Sequence, residues 1–483
     1  MSSSATANVN GSEYINLLVA EYLKQNNYND TLRNFLNEGN ISANLVKAFT
    51  NDRKDEDNTE NLQNIIHDRL QYNEYQITSK LNSFKLNDTL PDFSDLAKPF
   101  IPSWDHSGLD FIHHAIESPP RGMVIYSNYS TERGQLMLST SNKEVHIYDK
   151  MMGYEGKLVS AEKQIGLVRL CGTFNDDMYY YTCGIDGSLS LYDDSKSMVK
   201  ECNWKIHDRM ITHINIMPTD DSKNLWYIIT CGLDNFLKIH KLAIINNRIS
   251  VELLSKSKLL SPVTSFLVTS LKCNDNSKNT KPMIFISRSD HTRIMCFTLI
   301  YNQISLAYEI ALNNAQFTTH SFNVRDMEVI NTLKLDNKVN QLTENSMIAV
   351  VTSHTPYMRL ILINIPNHID EDVESIMTNF KNSIQITNPT TVYYDMIIWN
   401  MATEVPQDSY SQPILKTLPD NRGLIVGSDV GIHAIDILKG ESWFIEVDGN
   451  DKNIRIKTLE ISENNNQIVA GLVNKSTHIY NIK

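Results

Sequence analysis

The sequence is short of most features that betray a chain's chemistry. Its 483 residues hold no GxGxxG, no GxxxxGK[ST], no HExxH and no GxSxG. Glycine-rich phosphate loops, a zinc-protease helix and a serine nucleophile elbow are therefore not expected. No Lys/Arg run is long enough for a basic stripe, and the formal net charge is -12 with a pI of about 5.6. Both argue against direct nucleic-acid binding. No uninterrupted apolar run reaches the roughly 18 residues of a membrane span. The opening MSSSATANVNGS has neither a basic nor an apolar signal region. Position 2 is Ser, which excludes a myristoyl anchor. An intracellular protein of cytoplasm or nucleus, away from membranes, is expected. Cysteine is also scarce: Cys171, Cys183, Cys202, Cys231, Cys273 and Cys296 are scattered, with no CxxC. Reduced, buried thiols are expected, not disulfides or zinc. His113 and His114 are adjacent, and on a strand adjacent side chains point to opposite faces. They cannot easily chelate one ion, so no metal and no cofactor is predicted.

What is present begins with SEYINLLVAEYLKQNNYNDTLRNFLNEGN, Ser12 to Asn40. Ile15, Leu18, Val19, Tyr22 and Leu23 are spaced i, i+3, i+4, i+7, i+8, one apolar face of a helix. Ser12, followed by Glu13, is the expected N-terminal cap. Asn26 and Asn27 tolerate the left-handed conformation that closes a helix. A second helix is expected from Asn29 or Asp30, with Leu32, Phe35 and Leu36 inward and Gly39 as its stop. So small a hairpin cannot bury these faces alone. The stripe must find another surface, in the rest of the chain or in a second copy.

This stretch resembles the LisH motif. Leu18, Tyr22, Leu23, Tyr28, Thr31, Phe35 and Glu38 stand at its characteristic places, with Asn27 for the preferred Gly and Leu32 for the preferred Ala. The resemblance implies dimerisation by pairing two hairpins into a four-helix bundle. The oligomerisation surface it implies is Ile15, Leu18, Val19, Tyr22, Leu23, Tyr28, Leu32 and Phe35.

Residues 1–11 are expected to be disordered, and 41–97 to form a linker. Within the linker NDRKDEDNTE is charged and solvated. Leu62, Ile65, Ile66, Leu70, Ile77, Leu81 and Phe84 predict a helix near 60–85. LNDTLPDFSDLAKPFIPSWD has three prolines and no period, and reads as a connector. DEDVESIMTNF, from Asp370 to Phe380, predicts a surface helix or docking segment in a long loop.

From about 98 to 483 the chain repeats itself. TCGIDGSLSLYDD and TCGLDNFLKIHKL echo each other, with Asp186 and Asp234 in equivalent places 234 − 186 = 48 residues apart. Weaker copies precede and follow. Each is an apolar strand, a tight polar turn and an alternating strand, which is the pattern of propeller blades. Strand pairs end near Asp149, Asp193, Lys241, Phe297, Ile365, Ile437 and Ile482. Seven blades are predicted, six and eight being the neighbouring counts. The last blade lacks an outer strand, which the segment from Asp110 to Tyr129 is expected to supply. Closure of that kind leaves no free sheet edge.

These units resemble WD40 repeats. His207 stands where the family's Gly-His lies, Thr230 and Asp234 match its Ser and Asp, and His240 or Tyr192 replaces its Trp. The resemblance implies that His207, Thr230, Asp234 and Asp186 are structural turn residues and not catalytic. A weaker local likeness is to the WD40 part of cyclophilin-linked splicing proteins.

The fold class expected is thus mostly β: a seven-bladed WD40-type propeller behind a small α-helical LisH hairpin and adjoining helix. Proteins similar in this order of domains serve as subunits of ubiquitin ligases, transcriptional corepressors and dynein regulators. The expected function is a non-enzymatic scaffold in a multiprotein complex, self-associating through LisH and binding partner proteins on the propeller. A splicing-associated propeller is the alternative. The competing class is an enzyme with its site in the central channel. Its mark is a convergent cluster of acids or histidines at the inner strand starts, and the sequence shows none.

Overall fold

The computed structural model describes residues 11–52, 62, 104, 111–114, 116, 118–159, 166–219, 224–245, 248–272, 280–289, 291–300, 302–313, 322–336, 341–365, 392–394, 396–445, 453–462 and 466–482. The chain divides into two compact units, Met1–Asp92 and Phe93–Lys483. The expected N-terminal disorder, the segment from Asp370 to Phe380 and Cys273 lie outside the described residues. So does the helix near 60–85, apart from Leu62.

The first unit holds three helices, α1 (Gly11–Gln25), α2 (Asn29–Glu38) and α3 (Ala43–Asp52). Helix α1 starts one residue earlier than its predicted cap, so Ser12 lies inside it. Both α1 and α2 end in the same way. Asn27, at φ 59, follows α1, where Tyr28 N–H donates to the Leu23 carbonyl and Asn27 N–H to that of Lys24. Asn40, at φ 49, follows α2, where Ile41 N–H donates to Leu36 and Asn40 N–H to Asn37. These are Schellman closures, in which the residue after the cap takes the left-handed conformation. Gly39 itself is right-handed, at φ -78. The predicted glycine stop is therefore an asparagine stop one residue later.

Helix α3 falls where a linker was expected. Its Val46 and Phe49, three apart, pack with Leu17, Leu18 and Ala20 of α1, and Leu32, Phe35, Leu36 and Ile41 close the cluster. Tyr14 meets Phe49 edge-on at 5.7 Å. The inward stripe of α1 is thus Tyr14, Leu17 and Leu18, one position round the helix from the predicted one. Two neighbouring stripes of α1 are apolar, and periodicity alone does not choose between them.

The second unit is a seven-bladed propeller. Its described strands form seven sheets, one of five strands and six of four. The innermost strands, in blade order, are Val124–Tyr129, Val168–Phe174, Ile211–Pro218, Val263–Lys272, Val324–Asp336, Ile414–Thr417 and Ile456–Ser462. Within each blade the chain meanders outward by antiparallel hairpins. The last blade is closed from the other end of the unit. Phe111–His114 pairs with Thr477–Ile482, His113 opposite Tyr480. The predicted closing segment is therefore two elements: 111–114 completes the last blade, and Val124–Tyr129 opens the first. Blade 4 gains an unforeseen fifth strand, Val392–Tyr393, parallel to its edge.

Alternation along the strands buries apolar layers between successive blades. Leu189, Leu191, Ile211 and Ile228 belong to one such layer, and Ala349, Leu360, Leu424 and Ile435 to another. Trp104, read as part of a structureless connector, is fully buried in the layer between blades 6 and 7. It meets Trp443 edge-on at 4.5 Å, and its carbonyl accepts from Lys439 Nζ at 3.1 Å. A Cβ on Gly423 would lie 2.1 Å from the Trp104 ring, so this strand start admits only glycine.

Because the blades meander, the turn between a blade's second and third strands lies at the same end as the loop entering the next blade. The structure thus has one face carrying the Asp186 and Asp234 turns together with the starts of the innermost strands.

Candidate functional site

Blade 3 brings three of the predicted residues together. His207 sits in the loop entering the blade, Thr230 near the end of its second strand, and Asp234 in the following turn. His207 Nδ1 lies 2.8 Å from Asp234 Oδ1, and its Nε2 lies 2.9 Å from Thr230 Oγ1. Asp234 also accepts the backbone N–H groups of Asp208 and Phe236. Burial works against its charge, but these donors outweigh burial and hold the carboxyl below its ordinary value. Burial depresses His207 despite the pull of Asp234. The arrangement is a neutral imidazole donating from Nδ1 to a carboxylate and accepting the Thr230 hydroxyl at Nε2. With both nitrogens engaged and His207 1% exposed, the set pins a turn and has no face for a substrate.

Asp186 does less. It accepts only from its own turn, from Ser188 N–H at 3.1 Å and Ser188 Oγ at 2.6 Å. In the place of a tryptophan, Tyr192 sets its hydroxyl 3.5 Å from Thr182 Oγ1, and His240 is buried with Nδ1 unpaired. Burial pushes His240 down to about 4.

The face around these turns is apolar in a repeated way. Ile185, Leu233 and Val473 occupy equivalent turn positions in blades 2, 3 and 7 and are 48%, 39% and 41% exposed. Leu260 and Tyr410, in the loops entering blades 4 and 6, are still more open, at 85% and 84%. Tyr357 adds to the same face from blade 5.

At the centre of that face the innermost strands converge on the cluster of acids and a histidine that the sequence was read as lacking, together with three cations. Arg169, Asp326, Glu328, Lys416, Lys457 and Glu460 line the channel, with His213 beside them. For two of them, Arg169 and Lys457, the signal was present. Val124, Val168, Ile211, Val263, Val324 and Ile456 each open an innermost strand and are each followed by a register shift. The residue after this aliphatic marker is the one to inspect.

On the helical unit, the residues predicted for oligomerisation divide. Leu18 is buried, and Leu32 and Phe35 pack against the unit's own core. Ile15 and Tyr28 stand 59% and 53% exposed, and Val19, Tyr22 and Leu23 are half-buried.

Other chemistry-bearing residues are accounted for by packing. His113 and His114 alternate as their strand requires, and His113 Nε2 lies 2.9 Å from His478 Nδ1. Cys171, Cys183, Cys202, Cys231 and Cys296 are buried and unbridged. Burial pushes the Cys171 and Cys296 thiols up to about 12, which leaves them protonated. Among the described residues no three acids, histidines or cysteines are grouped to hold a metal, and no helix is long and apolar enough to cross a membrane.

Comparison with known proteins gives the same two units. Residues 13–42 match the LisH domain of the UCP007778 family, and residues 84–481 match the family's β-propeller domain. A relative in Saccharomyces cerevisiae, the uncharacterized protein YGR117C, is 33% identical over 477 residues, which is 97% of each chain. The two matched models succeed one another along nearly the whole chain, in the order that its helices and blades follow. The chain belongs to the UCP007778 family of LisH and β-propeller proteins.

Proposed function

We propose that the protein is a non-enzymatic intracellular scaffold, a subunit of a multiprotein complex. The helical unit joins it to a second copy, and the turn face of the propeller binds partner proteins. The observation that carries this reading is the recurrence of exposed apolar residues on one face. Ile185, Leu233 and Val473 hold the same turn position in three blades, where solvent alone gives no reason for an aliphatic side chain. Leu260, Tyr357 and Tyr410 extend the patch. A recurring apolar set of this kind marks an interaction surface. Aromatic residues in it supply contact area at low entropic cost.

The self-association surface is narrower than the resemblance implied. It consists of Ile15, Val19 and Tyr22, with Leu23 and Tyr28 at its margin. Leu18 is consumed by the chain's own core. Ubiquitin ligase and corepressor assemblies are the contexts in which LisH and propeller domains of this order recur, and they are the first to examine.

The test is quantitative purification of tagged full-length protein beside the variant Leu233→Asp, Leu260→Asp. Stoichiometric partners that copurify with the wild type are expected to be lost, with the melting temperature unchanged. Unchanged partners from the variant would contradict use of this face.

A further inference from the structure

The innermost strands of all seven blades contribute to a cavity of about 270 Å³ at the propeller's centre. Six of these strands shift register near their start, leaving one residue unpaired in each. A bulge re-aims its side chain, and bulges gather beside binding sites. In blades 2 and 7 the bulged residues are Arg169 and Lys457, both on the cavity wall. Blade 1 stands between these two blades, so the two cations flank its strand. Arg169 is half-buried and Lys457 exposed; partial desolvation at the channel wall lowers both, and Arg169 lowers Lys457 further, the mark of like charges in one field.

The acids on the wall do not answer them. Asp326 accepts the Met327 and Leu415 N–H groups, each at 2.9 Å. Glu460 takes Lys416 Nζ at 3.1 Å. Glu328 acts with Glu460 to hold Lys416 charged against its burial. The three acids share the single cation Lys416, so the six charges of the wall sum to zero, but the acids' contacts are with Lys416 and backbone donors. Among the described residues, neither Arg169 nor Lys457 has an ion-pair partner.

Two hydroxyls on the same arc are also unmatched. Ser127 in blade 1 and Thr458 in blade 7 are 2% and 5% exposed, and both line the cavity. Ser127 Oγ and Thr458 Oγ1 have no hydrogen-bond partner. Buried hydroxyls are ordinarily satisfied, so an unmatched pair beside two cations without an ion-pair partner points to a missing acceptor. That acceptor carries negative charge and several oxygens.

We propose that the arc of blades 7, 1 and 2 binds a phosphate group of a phosphomonoester. Arg169 and Lys457 neutralise it, and Ser127 and Thr458 donate to its oxygens. Arginine's planar fork suits two phosphate oxygens at once, while the lysine acts as a point charge. The opening lies at the centre of the apolar turn face, so such a ligand would sit beside any protein docked there.

The test is calorimetric titration of inorganic phosphate into the full-length protein, with chloride at matched ionic strength as control. One saturable site per propeller is expected. Arg169→Gln and Lys457→Gln should each weaken it by at least tenfold while keeping the wild-type melting temperature. If either variant fails to fold, Ser127→Ala is read in its place, with a several-fold loss expected. A phosphoserine peptide that displaces the phosphate would make the source a protein, and one that does not would make it a metabolite. No saturable heat, or equal affinity in the wild type and every folded variant, would overturn the proposal.

Discussion

The two units solve the burial of apolar surface differently. The propeller closes on itself: its first described strand completes its last blade, and each blade covers its neighbours on both sides. Its apolar layers hold many side chains at 0% exposure. Among the described residues the helical unit shows no such closure. Its buried apolar set among the described residues is Leu17, Leu18, Ala20, Val46 and Phe49, while Ile15 remains outside. The comparison teaches that exposed apolar residues have different meanings in the two places. On the propeller they decorate a structure that is already complete. On α1 they are the remainder of a core too small to use them.

The largest effect that tests this contrast is removal of the closure. Deleting residues 473–483 takes away Thr477–Ile482, which stands between Gln467–Leu472 and Phe111–His114. Two sheet edges and the faces of two blades would open. Soluble expression is expected to be lost, and a truncated protein with a normal cooperative melt would show that the ring does not depend on its seam.

Acid should separate the units next. Burial pushes His213, His240 and His433 to about 4, and His240 and His433 each keep one ring nitrogen unpaired. Their folded pKa values lie below the ordinary 6.5. As pH falls below 6.5 the unfolded chain takes up protons that the folded chain refuses. Stability is therefore lost between about pH 6.5 and 4, by at most ~1.4 kcal/mol per pH unit for each histidine. Residues 11–52 contain no histidine, so helices α1, α2 and α3 lack this source of acid lability. Denaturant titrations at pH 7 and pH 5 should show a stability drop that His433→Leu reduces. An identical drop in that variant would remove His433 from the account.

A smaller effect distinguishes two blades with nearly the same turn sequence. Asp234→Ala strands the buried His207 and should cost about 1–3 kcal/mol. Asp186→Ala loses only contacts within an exposed turn, and a change within about 0.5 kcal/mol is expected. Equal costs would mean that the His207 network adds nothing to the turn itself.

Much of this architecture was legible in the sequence because its signals are local. The blade count followed from strand-turn-strand echoes, and the hairpin from 3.6-residue periodicity with asparagines at its breaks. What escaped depended on packing across the chain. Whether Leu18 or Ile15 faces inward is decided by α3, whose Val46 and Phe49 are too few to announce a helix. Trp104 looked like connector because its pocket is made by Gly423 and Trp443, more than 300 residues away. The channel charges escaped because Arg169, Lys416 and Lys457 come from separate blades and meet only when the ring closes. Asp234 was found because its partners belong to one blade.

The smallest expected change in stability accompanies the substitution that bears most directly on the helical unit. Ile15→Asp with Val19→Asp places charge on the outward stripe of α1 and leaves Leu17, Leu18, Val46 and Phe49 untouched. Multi-angle light scattering on the full-length wild type and this double variant measures the central claim. The account predicts a dimeric wild type of about twice 55.2 kDa and a monomeric variant with the same melting temperature. A wild type that is monomeric at micromolar concentration, or a variant that remains a dimer, would contradict it.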